Sequence, residues 1–292
     1  MRAWGLLTIG TTRAASPCST DVRRNREAEG VGVNIERDTL GRVQDLVAAA
    51  DRIVVLTGAG ISTDSGIPDF RGPKGLWTLN PKAEKMATIT HYLADPEVRE
   101  IAWQTRLHSS AWEARPNAGH RAIVSLQDRA QLHALITQNV DGLHQLAGVS
   151  EDLVIEVHGT MHHSRCWNCQ DRLPMAETLR RVAAGENDPD CLRCRTRGEH
   201  GVLKSDTISF GQSLVPEVID RAFRVAKECD LLIAVGSTLA VGPVNRVVPE
   251  AKRHGAQVVI VNGEPTEMDH LATEIIRSGI SEVLPLLLTP GG

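Results

Sequence analysis

"GAGISTDSGIPDFRGPKGLW", residues Gly58 to Trp77, decides how this chain is read. It follows the apolar run "RIVVLT", Arg52 to Thr57. A β-branched run that stops at Gly-Ala-Gly predicts a buried strand turning sharply beneath a phosphate. A dinucleotide fingerprint would place a third glycine three residues after the second and open a helix at once. Here that position is Thr63, and a polar stretch with Asp69 and Arg71 follows. The turn can hold a pyrophosphate. The segment after it reads as a mobile loop, in place of a helix start, that folds over the rest of the cofactor. A cofactor covered in this way is consumed rather than merely docked.

Working outward, five runs of strand length alternate with helical patterns. The strands are expected at Ile53 to Thr57, Leu132 to Thr137, Leu153 to His158, Leu231 to Gly236 and Gln257 to Asn262. The helices are expected at Leu40 to Ala50, Asn117 to Arg129, Pro216 to Glu228 and Pro243 to His254. Such alternation implies an α/β fold, a doubly wound, Rossmann-like parallel sheet covered on both faces. The strands run into "TGAG", "TQNVDGLH", "VHGT", "VGST" and "VNGEPT". All five tails fall on the carboxyl rim, where such sheets bind ligands. The Rossmann-like domain is expected from residues 38–71, 117–159 and 206–288. A smaller inserted domain takes the rest, with a helical and loop part at 72–116 and a zinc-binding module at 160–205. Residues 1–37 lack a sustained period and read as a disordered N-terminal extension.

Composition narrows the function classes. The 292 residues are 41% hydrophobic and 23% charged, which is ordinary globular usage. The net charge of −4 gives no sign of a nucleic-acid binder. No apolar run approaches the roughly 18 residues of a membrane span. The expected setting is the cytoplasm, or the mitochondrion if the Arg- and Ser-containing start is a transit peptide.

Of the six cysteines, four form two Cys-x-x-Cys pairs, Cys166 with Cys169 and Cys191 with Cys194. Four converging thiolates close a tetrahedral coordination sphere, so one structural zinc is expected, with no open position for catalysis. Cys229 precedes the run "DLLIAVG" and reads as a small buried hydrophobe, while Cys18 falls in the extension. Asn139 and Asp141, in "TQNVDGLH", are short polar groups suited to an amide or ribose hydroxyls. His158 stands at a strand end with glycine beside it, as a general base acting on a sugar hydroxyl would. His144, His162 and His163 compete for that role.

Together these residues resemble the sirtuin family of NAD-dependent protein deacylases. "GAGISTDSGIPDFR", "TQNVDGLH", "HG", the paired cysteines, "ISFG", "GSTLAV" and "VNGEPT" occur in that family's order, from about Leu40 to Leu288. The resemblance implies that NAD is bound by Gly58, Ala59, Gly60, Ile61, Asp69, Phe70, Arg71 and Trp77. It adds Gln138, Asn139, Val140, Asp141, Gly236, Ser237, Thr238, Asn262, Gly263, Glu264 and Ile280 to that set. His158, Asn139 and Asp141 are the implied catalytic residues. An acyl-lysine peptide would add as a strand against Ile208, Phe210, Gly211 and Leu239. The acyl oxygen attacks the ribose carbon as nicotinamide leaves, and His158 takes a proton from a ribose hydroxyl. Free lysine, nicotinamide and O-acyl-ADP-ribose result, and deacetylation is the expected reaction. The expected partners are acyl-lysine proteins or peptides, with no direct nucleic-acid or membrane contact and a monomeric chain.

There are departures from the family. Gln212 stands where it often has Glu, and Lys204-Ser205 where it has Arg-Pro. Desuccinylating members carry a Tyr-x-x-Arg pair whose ungapped positions here are Ala102 and Thr105. Trp103 and Arg106 follow one residue later and read as part of a helix with an exposed arginine. Two alternatives stand beside the deacylase. One is a protein mono-ADP-ribosyltransferase. The other is a non-catalytic zinc-ribbon binding module.

Overall fold

Strands with no polar interruption need cover on both faces, and the alternating helices supply it. The computed structural model describes residues 37–69 and 86–289. In chain order its first elements are α1 (Arg37–Ala49), β1 (Ile53–Thr57), α2 (Ile89–Ala94), α3 (Pro96–Leu107), α4 (Ala118–Asp128), β2 (Leu132–Thr137), α5 (Leu143–Ala147) and β3 (Val154–Glu156). Next come β4 (Gly159–Cys166), β5 (Arg172–Pro174), α6 (Met175–Ala183), α7 (Leu192–Arg195) and β6 (Leu203–Thr207). The last are α8 (Pro216–Glu228), β7 (Leu231–Val235), α9 (Val247–Arg253), β8 (Gln257–Val261), β9 (Glu274–Ile276) and α10 (Ile280–Leu288). The extension expected at residues 1–37 lies outside the described residues, apart from Arg37 at the start of α1.

Six strands form one sheet in the order β3-β2-β1-β7-β8-β9. Every neighbouring pair is parallel. The order reverses between β1 and β7, so the carboxyl ends of those two strands open the crevice in which such sheets bind ligands. Residues of β1 are buried throughout and alternate between two cores. Ile53 and Val55 pack with Val43 of α1, Leu126 of α4 and Leu287 of α10. Val54 and Leu56 pack with Ala222 of α8 and Val247 of α9 on the other face.

A three-stranded antiparallel sheet, β5-β4-β6, stands apart from the first. Trp103 of α3 lies in its core with Cys166, Cys191, Cys194 and Leu203. Tyr92 Oη donates to the Leu203 carbonyl, and the Arg99 guanidinium pairs with Asp188. The α2–α3 segment is thus fastened to the cysteine module. Among the described residues no helix is long and apolar enough to cross a membrane.

Three local expectations change. The strand expected at Leu153 to His158 shortens to Val154–Glu156, because the chain leaves the large sheet at His158 and opens β4 at Gly159. The helix expected at Pro243 to His254 splits into a 3₁₀ turn, Val244–Arg246, and α9. β9 and α10 were not anticipated, yet α10 buries Val283, Leu284 and Leu287 against the first core.

Candidate active site

Glycine contact builds the rim of the site. Gly60 N donates to Gly236 O over 2.9 Å, and Gly58 N to Val235 O over 2.9 Å. Gly236 takes a positive φ of 62°, and a Cβ there would stand 2.5 Å from Ile61 N. The close approach expected of a third glycine in the first turn is supplied by the neighbouring strand β7. A helix does open here after all. Ala59–Ser65 is 3₁₀, and Gly66 ends it at φ 85°. Spacing within one segment cannot reveal a partner from a strand far along the chain.

That 3₁₀ turn carries Ser62, which joins the polar residues at the end of β2. Ser62 Oγ donates to Asp141 Oδ2 over 2.8 Å and accepts from Asn139 Nδ2 over 3.1 Å. Asn139 Nδ2 also donates to Gly58 O. Asp141 Oδ1 accepts from Leu143 N. Gln138 Nε2 reaches Ser237 Oγ across the crevice over 3.0 Å. Asn139 and Asp141 are buried, and their side chains are held on several sides before any ligand arrives.

His158 lies where the chain crosses between sheets. Its Nδ1 is 3.0 Å from Gln138 O, and a carbonyl only accepts, so Nδ1 carries the proton. Nε2 is left as the nitrogen that can take one. Burial pushes the imidazole below its ordinary 6.5, against the opposing pull of the Gln138 hydrogen bond. Its carbonyl accepts from Ile208 N over 2.8 Å. Gly159 follows at φ 73°, where a Cβ would stand 2.1 Å from Asp206 O. The three competing histidines line no part of the cavity. His144 is buried against Thr57, and His162 donates to Asp141 O over 2.8 Å.

These residues surround one cavity of about 1620 Å³. That exceeds the roughly 300–1,000 Å³ of a single small-molecule site and leaves room for a second ligand. Its lining brings together Gly58, Ala59, Gly60, Asp69, Gln138, Asn139, Val140, Asp141 and His158 with Gly236, Ser237, Thr238, Asn262, Gly263, Glu264 and Ile280. Ile208, Phe210 and Gly211 line it as well. Two expected residues do not. Ile61 is fully buried in the first core. Leu239, at φ 55°, places its side chain in the second. Phe70, Arg71 and Trp77 lie outside the described residues, as does most of the expected mobile loop. Ser62 and Met161 line the cavity and were not singled out for it, and Arg106, expected on an exposed helix face, lines it too. Ser62 was at least legible, since it lies two residues beyond the Gly-Ala-Gly turn.

The groove beside the cavity shows how the departures act. Phe210 spends its backbone on one side, accepting from Ile89 N and donating to Ala87 O. Gln212 Oε1 accepts from Ser209 N. Lys204 is buried, with Nζ donating to the Ser205 and Thr207 carbonyls. Burial and, next, Arg106 lower its pKa to about 8. Ala102, Thr105 and Arg106 line the cavity, whereas Trp103 is buried away from it. Arg106 is less exposed than expected, its guanidinium lying 5.1 Å from the Trp103 ring centroid and 5.7 Å from that of Tyr92.

The cysteines converge as their spacing implied. All four Sγ atoms lie within 4.8 Å of one another. Cys166 is 3.7 Å from Cys194, and Cys169 is 3.6 Å from Cys191. Tetrahedral zinc with bonds of about 2.3 Å separates its sulfurs by about 3.8 Å, so this donor set fits one zinc with no open position. Cys229 is buried, and burial raises its thiol pKa to about 12, as suits a packed apolar residue.

A family model described as the Sir2 family matches residues 58–243. NAD-dependent protein deacetylase 2 of Streptomyces coelicolor is 49% identical over 236 residues, covering 81% of this chain and 96% of that protein. A solved Sir2 enzyme superposes with a TM-score of 0.77 at 35% identity, over 87% of this chain and 97% of the other. A Sir2–p53 peptide–NAD⁺ complex superposes with a TM-score of 0.74 at 29% identity, over 84% of this chain and 95% of the other.

Proposed function

This chain belongs to the Sir2 family, and on that premise we infer that it is an NAD-dependent protein deacetylase. It consumes NAD and returns free lysine, nicotinamide and an O-acyl-ADP-ribose. NAD supplies the ribose carbon that accepts the acyl oxygen, and nicotinamide is its leaving group. Neither alternative is favoured, because the similar relatives are named deacetylases and the cavity contains a poised base.

The observation that carries the catalytic assignment is the His158–Gln138 hydrogen bond. It fixes the tautomer and leaves Nε2 free to take a proton from a ribose hydroxyl. Asn139 and Asp141 orient the nicotinamide and ribose. The rim of Gly58, Ala59, Gly60, Gly236, Ser237 and Thr238 lies along the pyrophosphate, and Asn262, Glu264 and Ile280 border the adenosine. The acyl-lysine peptide pairs along Ile208 to Gly211. The four cysteines hold one structural zinc outside the reaction.

We read the large sheet as the NAD-binding domain, and the cysteine module with α2 and α3 as the smaller domain. We further propose a monomer acting in the cytoplasm on acyl-lysine proteins. Thiols gathered for a metal rather than paired as disulfides support a reducing compartment.

The test is His158→Ala with an acetyl-lysine peptide and NAD, read by nicotinamide release. Turnover should vanish while circular dichroism and zinc content match the wild type. Retained turnover would overturn the assignment of the base.

A further inference from the structure

We propose that His120 and His144 are positioning residues, a buried pair that couples the turn bearing Ser62 to the strand end bearing Asn139. The proposal rests on the assignment of the cavity to NAD. His120 is the third residue of α4 and His144 the second of α5. Their relative exposures are 0% and 1%, and neither lines the cavity. The ring centroids are 4.9 Å apart.

Each ring has one nitrogen already committed. Asn117 N donates to His120 Nδ1 over 3.3 Å. A backbone N–H only donates, so in the neutral ring the proton sits on Nε2. On the other ring, Nε2 lies 3.0 Å from Thr57 Oγ1. The Thr57 hydroxyl gives its hydrogen to Thr137 Oγ1 over 2.9 Å. Thr57 therefore accepts from His144 Nε2, which leaves His144 Nδ1 bare. The two remaining nitrogens, His120 Nε2 and His144 Nδ1, are buried without a hydrogen-bond partner among the described residues. One is a donor and the other an acceptor. A bond between them, direct or through one water, satisfies both, and buried polar groups strongly favour that outcome.

Each ring is tied to a different half of the site. Asn117 Nδ2 donates to Ile61 O over 2.7 Å and to Ser65 Oγ over 3.0 Å, which pins the turn carrying Ser62. Thr137 Oγ1 accepts from Asn139 N over 3.1 Å, which fixes the strand end. Ser62 and Asn139 then meet in the cavity. Burial holds both rings in the neutral form that this pattern requires. It pushes His120 down to about 4, with Asp141 opposing and Arg121 assisting. It carries His144 well below its usual range, with His120 as its other titratable neighbour.

The test compares His120→Phe, His144→Phe, the double variant and His144→Gln, whose amide N–H can replace the donor to Thr57. Each Phe variant should raise KM for NAD by about fivefold or more and leave KM for the peptide unchanged. The double variant should be no worse than the worse single one, and Gln should restore most of the loss. An unchanged KM for NAD in folded enzyme, or additive effects, would overturn the proposal. Should the variants fail to fold, ¹⁵N imidazole spectra of the wild type decide. Both rings should show the Nε2–H tautomer and stay neutral to about pH 5. An Nδ1–H tautomer on either ring, or titration at its ordinary pKa, would overturn it. Wild-type nicotinamide release in the same assay separates this failure from failure of the NAD assignment.

Discussion

Gly236→Ala should disable NAD turnover while sparing the zinc module. Gly236 sits at φ 62°, where an alanine costs about 1–2 kcal/mol. Its Cβ would stand 2.5 Å from Ile61 N and 2.8 Å from Gly60 C, both backbone atoms that no rotamer change can move. Ordinary contact begins at 3.4 Å, so the turn must retreat by about 0.9 Å. The retreat carries Ser62, the shared partner of Asn139 and Asp141. A misplacement of about 1 Å can cost on the order of 100-fold in rate. We therefore expect kcat/KM for NAD to fall about 100-fold, read by nicotinamide release with an acetyl-lysine peptide. The backbone cost should lower Tm by about 2–8 °C. Gly41→Ala is the control. Its Cβ would meet nothing within 4 Å, and within α1 it should stabilise by about 0.5–1 kcal/mol. If Gly236→Ala keeps kcat/KM within about threefold of wild type, backbone contact does not set the cofactor site.

Other outcomes follow from the same geometry. His158 must be neutral to act, and burial holds its pKa below 6.5, so kcat/KM should stay level through neutral pH and decline only on the acid side of 6.5. A decline that begins above neutral pH would assign the base elsewhere. His120 has its pKa lowered from 6.5 to about 4, so the unfolded chain binds its proton first. Its contribution is full above pH 6.5 and is lost as pH falls towards about 4, a change of roughly 3 kcal/mol. Urea midpoints measured from pH 7 to pH 4 should fall across that window and recover in part in His120→Asn. Cys191→Ser should lose the metal, measured by elemental analysis, and redden the emission of Trp103, which is buried beside the cysteines. Unchanged metal content would remove zinc from the site.

The sequence made the parallel sheet legible because β1 and β7 are buried throughout and β2 and β8 are largely apolar runs buried on both faces. The bounds of β1, β2 and α8 follow directly from their apolar runs and flanking residues. β9 escaped because three residues, Glu274 to Ile276, are too short a run to separate from a loop. α10 escaped because "VLPLLL" places Pro285 inside an apolar run that reads equally as a strand or a coil. His158, Asn139 and Asp141 line the cavity, and their placement was legible because they end strand-length apolar runs on the carboxyl rim. At Leu239, beside Ser237 and Thr238, a positive φ turns the side chain to the core, which the sequence did not reveal. Asn117 was expected only as the start of a helix, His144 as a competing base, and His120 was not singled out. Their link to the site exists only through contacts between α4, α5 and the strand ends.

His158, the proposed base, lies where the chain passes from the large sheet into the cysteine-bearing module. His158 is held from two directions. Val157 N donates to Thr137 O on the large sheet, and Ile208 N returns from the small sheet to the His158 carbonyl. The chain leaves the large sheet at His158, enters β4 at Gly159 and comes back through β6 to Ile208. At the far end of those two strands Cys166 pairs with Leu203, beside the cysteine cluster. Fixing the cysteines therefore fixes the register of β4 against β6 from Ser164 to Cys166, and a register shift separates that stretch from Gly159 opposite Thr207. Losing the metal would loosen the β4–β6 pairing at its cysteine end, where Cys166 faces Leu203.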